Sequence, residues 1–353
     1  MPLIEIRAFD PHAASPELWH SFHECRRALS AELDPDDPIL SDAETEIEMC
    51  RVHPLHDCSR WLALSDGEVI GFASASFRRP GTPDAAEHAP FLFAGGEVRL
   101  EARRRGAGSL LLGEIHSLMH ILDKSVLTLA AYTEPGHAFL AKIGATAKLT
   151  TVSSRAHLLE LDWPLLRHWE ESADSCGLGS ERYAGRVPRE ALLALLPEFT
   201  ALFADVPLGD LQIAPVKWEI EGYDEWYHTL DRVGGAHHLI VLRAPDGSVV
   251  GLTEAMWDSR TPTVVYQALT AVARPWRGGG LAKALKGALL RQVHESHPEA
   301  RIIRTGNGET NAVMRSINAR AGFKPHRRFV EYQITREKLD LWHEGYAKIE
   351  KGP

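Results

Sequence analysis

The polar and apolar positions of the chain change period repeatedly, and the changes mark out alternating strands and helices. Leu3–Phe9 alternates as a strand, and Pro16–Glu32 carries Leu18, Trp19, Phe22, Cys25 and Leu29 at helical spacing. Asp36–Val52 reads as a second, acidic helix. Trp61–Leu64 and Val69–Phe77 form a hairpin across Ser65-Asp66-Gly67-Glu68. A short β-like run, Val98-Arg99-Leu100, gives way to a helix over Ser109–Leu122. Val126–Ala131 is a buried strand, Ala138–Ile143 a short helix, and Thr151–Leu161 gives closing strands.

The second half repeats this order. Arg182–Val187 is a strand, Arg189–Phe203 a helix opened by Pro188, and Tyr223–Arg232 another helix. His238–Arg243 and Val249–Met256 form a hairpin, and Val264–Val272 is the next strand. Leu281–Glu295 is a long helix, Arg301–Arg304 a strand, Asn311–Arg320 a helix and Arg328–Ile334 a strand. Glu337–Ile349 predicts a terminal helix outside both repeats. Asp162–Ser180, with its Trp-Pro and Gly-Leu-Gly, reads as the connection between halves. The expected division is therefore 1–162, a linker at 163–180, 181–336, and a helical tail at 337–353.

Each half sets a turn rich in glycine and arginine between a strand and its long helix. The first is Arg103-Arg104-Arg105-Gly106-Ala107-Gly108, the second Arg277-Gly278-Gly279-Gly280. Glycines let backbone N–H groups converge, the helix start adds partial positive charge, and arginine adds a full one. A phosphate or pyrophosphate is the natural ligand of such a cradle. One turn alone is as readily a plain strand-to-helix corner. Here Arg105 falls opposite Arg277, Gly144 opposite Gly322, and Asp66-Gly67 opposite Asp246-Gly247, in the same order and at nearly the same separation. That is an internal repeat.

Bulk properties narrow the reading further. The 353 residues suit two domains, and 44% hydrophobic with 25% charged content fits a globular protein. No stretch has the length of a membrane-spanning helix, and Met1–Arg7 lacks the regions of a secretory signal. Cys25, Cys50, Cys58 and Cys176 show neither metal-ligand spacing nor a disulfide framework, so a cytoplasmic setting is expected. A net charge of −9 argues against general nucleic-acid binding and suits cationic substrates. The 18 histidines show no zinc pattern on one helix face and no cysteine partners, so no metal site is expected.

The run from Tyr266 through Val272 and Arg277-Gly278-Gly279-Gly280 to Lys286, with Thr305–Asn318 and Gly322-Phe323 beyond it, resembles the acyl-CoA core of the GNAT acetyltransferase superfamily. The order of elements extends the resemblance over nearly the whole chain, in the tandem two-domain form. It implies an α/β fold of the α+β type: two GNAT-like domains, each a mixed, mostly antiparallel sheet flanked by helices. It also implies an acetyl-CoA-dependent N-acetyltransferase acting on a primary amine of a small molecule. The alternative is a non-catalytic acyl-CoA-binding or regulatory protein. A monomer or homodimer is expected, with no nucleic-acid or membrane partner. By the resemblance, Val272 and Ala273 would pair with the pantetheine arm. Arg277, Gly278, Gly279, Gly280, Leu281 and Ala282 would hold the pyrophosphate, and Asn307 and Asn311 would contact the cofactor. Lys283 and Lys286 either add charge there or are plain solvated helix lysines.

Many superfamily members carry a tyrosine seven residues after the Asn311 position, as the acid for the departing thiolate. Asn318 stands there instead. Glu254 is the first candidate for the base, against an exposed strand glutamate; Tyr266 and Glu331 follow, and Tyr332 is a candidate acid. The first half keeps Arg103-x-x-Gly106-x-Gly108 but has Thr133 and Leu140 opposite Asn311 and Asn318, so it is expected to be degenerate and the second half catalytic. Trp218–Tyr227 combines carboxylates with aromatics, suited either to a cationic ligand or to an amphipathic helix with a solvated acidic face.

Overall fold

A computed structural model describes residues 3–174 and 177–350. Its elements run β1 (Ile4–Ala8), α1 (Pro16–Leu33), α2 (Asp42–Cys50), β2 (His56–Ser65), β3 (Glu68–Arg78), α3 (Ala85–His88), β4 (Phe91–Val98), α4 (Ala107–Ile121), β5 (Val126–Ala131), α5 (Glu134–Lys142) and β6 (Thr146–His157). Then come α6 (Trp163–Asp174), β7 (Gly179–Gly185), α7 (Arg189–Phe203), α8 (Ile220–Arg232), β8 (Ala236–Arg243), β9 (Val249–Trp257), β10 (Val264–Val272), α9 (Leu281–Ser296), β11 (Ile302–Gly308), α10 (Ala312–Arg320), β12 (Lys324–Thr335) and α11 (Arg336–Glu350). Among the described residues, no helix is long and apolar enough to cross a membrane.

The chain divides into two compact units. Unit 1 takes Met1–Lys148, Leu211–Ala214 and Val330–Pro353; unit 2 takes Leu149–Asp210 and Pro215–Phe329. In unit 1 the strand order is β1-β2-β3-β4-β5-β12. β4 and β5 are parallel over only Phe91–Phe93 and Val126–Thr128, and the other pairings are antiparallel. In unit 2 the order is β7-β8-β9-β10-β11-β6, with β10 and β11 parallel over Val264–Tyr266 and Ile302–Arg304 and the rest antiparallel. Each unit is thus the mixed, mostly antiparallel sheet flanked by helices that the sequence implies. In each, the parallel pair separates after three residues and leaves a gap between strand ends.

The units do not follow the sequential halves. The last strand of each half completes the sheet of the other: Val330–Thr335 of β12 pairs with β5, and Thr151–His157 of β6 pairs with β11. The division expected at 163–180 misses this exchange, because pairing partners leave no mark in local periodicity. Residues 163–174, expected as linker, form α6, whose Leu166 and Trp169 join the unit-2 core. α6 approaches α9 so closely that a Cβ on Gly287 would stand 2.4 Å from Leu166 O. Cys176 lies outside the described residues. The tail helix belongs to unit 1, where Leu339 is fully buried beside Leu111, Leu112 and Ile115 of α4.

Candidate functional site

The two glycine turns have the same backbone. Arg104 and Gly278 have φ of 63° and 88°, and Gly106 and Gly280, which open α4 and α9, have φ of 98° and 86°. Only glycine holds that region without strain. The matching positions are therefore Arg103 with Arg277 and Gly106 with Gly280. The alignment of Arg105 with Arg277 is two residues out. The helix-start amides precede the first intrahelical bonds, Leu110 N to Gly106 O and Lys283 N to Gly280 O, and are available to an anion.

The arginines do different work from that expected. Arg103 Nε donates to Val98 O at 2.8 Å and its guanidinium pairs with Glu32. Arg277 Nε donates to Val272 O at 2.8 Å, and Nη2 donates to Asp205. Arg274 also pairs with Asp205, and the hydrogen bond from Arg274 holds that carboxyl below its ordinary range. Arg103 and Arg277 each tie a strand end to the preceding helical layer, which leaves the backbone of the turn, with Arg104 beside it in unit 1, for a diphosphate. The same bonds occupy groups assigned to the cofactor arm: Val272 O is taken by Arg277, and Ala273 N donates to Val250 O.

In unit 1 the gap between β4 and β5 is an open cleft of about 380 Å³ that reaches the turn. Gly95 and Gly96 line one wall, Leu129–Thr133 the other, and Arg104, Gly106 and Gly108 the end. Glu97 and Tyr132 face each other in it, the tyrosine hydroxyl donating to the carboxylate. Neither was reached from sequence. The signal available was Gly95-Gly96-Glu97, two small residues and an acid just before the arginine motif. Thr133 caps α5 by accepting from Gly136 N, as Asn311 caps α10 by accepting from Met314 N.

Unit 2 gathers the asparagines. Asn318, only 3% exposed, donates through Nδ2 to Asn307 Oδ1 at 2.5 Å, while its own Oδ1 is buried without a partner. A buried unpaired amide oxygen fits a donor such as the amide N–H of a cofactor arm. Glu254 is not an exposed strand glutamate. It is 2% exposed and accepts from His237 Nε2 at 3.1 Å. Val187 N donates to the Tyr227 hydroxyl, which in turn meets His237 Nδ1 at 2.8 Å. Tyr266 pairs with Met256, two residues along β9 from Glu254 and on the same face. The other runner-up, Glu331, and the candidate acid Tyr332 are elsewhere, on β12 in unit 1, with burial raising the Glu331 pKa and Tyr332 bonded to His137.

Lys286 is not a solvated helix lysine. It is 1% exposed, donates to Gln267 Oε1 at 2.6 Å, lies 4.3 Å from the Phe323 ring centroid, and is lowered by burial to a pKa of about 7. The acidic face of α8 is partly neutralised: Asp224 pairs with Arg189 and Asp231 with Arg186. The histidines do contain a helical ligand pair, His116 and His120, four apart on α4 and beside Asp340.

No family model matches the sequence, and no curated protein matches it. Solved structures do match. A tandem GNAT protein from the clavulanic acid biosynthesis pathway, solved without acetyl-CoA, is 22% identical, with 95% of this chain and 99% of that chain covered and a TM-score of 0.71. A GCN5-related N-acetyltransferase from Sphaerobacter thermophilus is 18% identical over 94% of this chain and 96% of that one, with a TM-score of 0.63. The chain has the tandem GNAT fold.

Proposed function

We propose that the chain is an acetyl-CoA-dependent N-acetyltransferase acting on a primary amine of a small molecule. The observation that carries this is the unit-1 cleft, in which separated parallel strands lead to a glycine turn and a helix N-terminus, with an acid and a phenol inside. Acetyl-CoA supplies the thioester. The amides at the start of α4 hold its diphosphate, and Gly95, where a Cβ would meet nothing within 4 Å, lets its arm approach the backbone of β4. The neutral amine attacks the thioester carbon. Glu97 takes the amine proton, directly or through one water, and Tyr132 gives its proton to the departing sulfur. The Tyr132–Glu97 bond then returns the proton to the phenol, so both groups end as they began.

Calorimetry with acetyl-CoA tests the site. Gly106→Val should abolish binding, since a side chain at its φ of 98° is strained and the residue lines the end of the cleft. Glu97→Gln should leave binding intact and slow release of free thiol by about a hundred-fold or more with an amine the parent accepts. Binding without thiol release from any of a broad amine panel would favour the non-catalytic acyl-CoA-binding alternative.

A second reading places acyl-CoA in unit 2, and the unpaired Asn318 Oδ1 favours it. In that case Gly280→Val, not Gly106→Val, removes binding. Asn318→Ala then weakens it without moving any pH–rate limb, because an amide does not titrate near neutrality.

A further inference from the structure

We propose that His116, His120 and Asp340 form a site for a divalent first-row transition-metal ion that fastens α11 to α4 in unit 1. His116 and His120 stand four residues apart on α4, so both rings leave the same face. α11 brings Asp340 to that face, one residue after the fully buried Leu339 that anchors the helix in the core. His116 Nε2 lies 2.5 Å and His120 Nε2 2.8 Å from Asp340 Oδ1, and the two nitrogens are 3.2 Å apart.

Three ligand atoms of two kinds thus meet at one point. For those separations, a position about 2.1 Å from all three exists, on the order of 1 Å outside their plane, which matches zinc–nitrogen and zinc–oxygen bond lengths. Two imidazoles and a carboxylate suit Zn²⁺, Co²⁺ or Ni²⁺ rather than Ca²⁺ or Mg²⁺, which prefer all-oxygen sets. The outer side is open, since His120 is 50% and Asp340 35% exposed in their side chains, so water can complete the coordination. The His343 ring stacks on His116 with centroids 4.9 Å apart, and Gly113 leaves room for it: a Cβ there would stand 3.2 Å from His343 Nε2. That packing fixes the His116 ring while leaving its Nε2 aimed at Asp340. The site contains none of the cleft residues Glu97, Tyr132 or Gly106.

The test uses the full chain stripped of metal with a chelator. Co²⁺ is titrated while its visible absorption bands are followed, and Zn²⁺ is then competed against a chromophoric chelator. One equivalent should bind with a Kd on the order of micromolar or tighter, and Zn²⁺ should raise the Tm. His120→Ala, at a half-exposed position, and Asp340→Asn should each weaken binding at least tenfold and remove the Tm rise. Circular dichroism of the metal-free variants should match the parent. If saturable binding is absent up to about 1 mM metal, or if both variants bind as the parent does, the three side chains are only a hydrogen-bonded cluster and the proposal fails.

Discussion

Arg104 and Gly278 occupy the same place in the two turns, and only the glycine can hold it without cost. A non-glycine residue at φ of 63° stores about 1 kcal/mol or more. Arg104→Gly should therefore stabilise the protein by about 0.5–1 kcal/mol, read as a rise in urea midpoint without a change in slope. No rise would mean that the arginine side chain repays the strain through contacts of its own. Lys286 gives a pH signature. Its pKa of about 7 lies below the unfolded value, so between those two values the unfolded chain binds the extra proton. Stability should climb from pH 7 towards pH 10 and be lowest below pH 7. Lys286→Met removes the charge together with the bond to Gln267. It should flatten a slope of at most about 1.4 kcal/mol per pH unit. Urea melts at three pH values measure it, and parallel slopes in parent and variant would show that Lys286 is not held neutral. These residues also mark the limit of sequence reading. The two glycine turns and the repeat were legible because local backbone demands choose residue types. Burial of Glu254 and Lys286 was not, since a lone charged residue looks the same on a wet face and in a core.

At the scale of elements, α9 shows what a correct helix prediction omits. Its apolar stripe, Leu281, Leu285 and Leu289, is visible in the sequence and buried in unit 2. Its other contact depends on Gly287, where α6 crosses at backbone distance. Gly287→Ala exchanges a poor helix former for the best one, which in isolation would stabilise by about 1 kcal/mol. Here the methyl meets Leu166 O at 2.4 Å, and separating the helices should cost more, about 1–3 kcal/mol net. A fall in Tm therefore checks the packing, and a rise would show that α6 does not sit there. The strand read at Val98–Leu100 shares only Val98 with β4, which runs over Phe91–Val98, and the reason is the opposite one. Gly95 and Gly96 are poor strand formers, yet a Cβ at Gly96 would come within 3.0 Å of Phe72 O on β3. The close approach of neighbouring strands, invisible in a one-dimensional pattern, makes glycine fit there.

For the whole molecule, the exchange of closing strands changes what can be separated. A fragment ending at residue 162 carries β1–β5 but lacks β12, and one starting at 163 lacks β6. Neither should give a cooperative unfolding transition alone, whereas the two produced together should assemble and melt as one species. Gel filtration and calorimetry of each fragment decide this, and a folded 1–162 fragment would show β12 to be dispensable. The repeat was legible in order and spacing, but the exchange was not, because both versions of each closing strand have the same alternating pattern.

The exchange also imposes a timetable on synthesis. β5 leaves the ribosome about 200 residues before its partner β12, roughly 10–40 s at ordinary elongation rates. Through that interval an edge of β5 stays unpaired and the α11 face of α4 uncovered, so the half of the protein made first is the half finished last. A premature stop near residue 329 would spare nearly all of the second unit and leave the first as a client of chaperones.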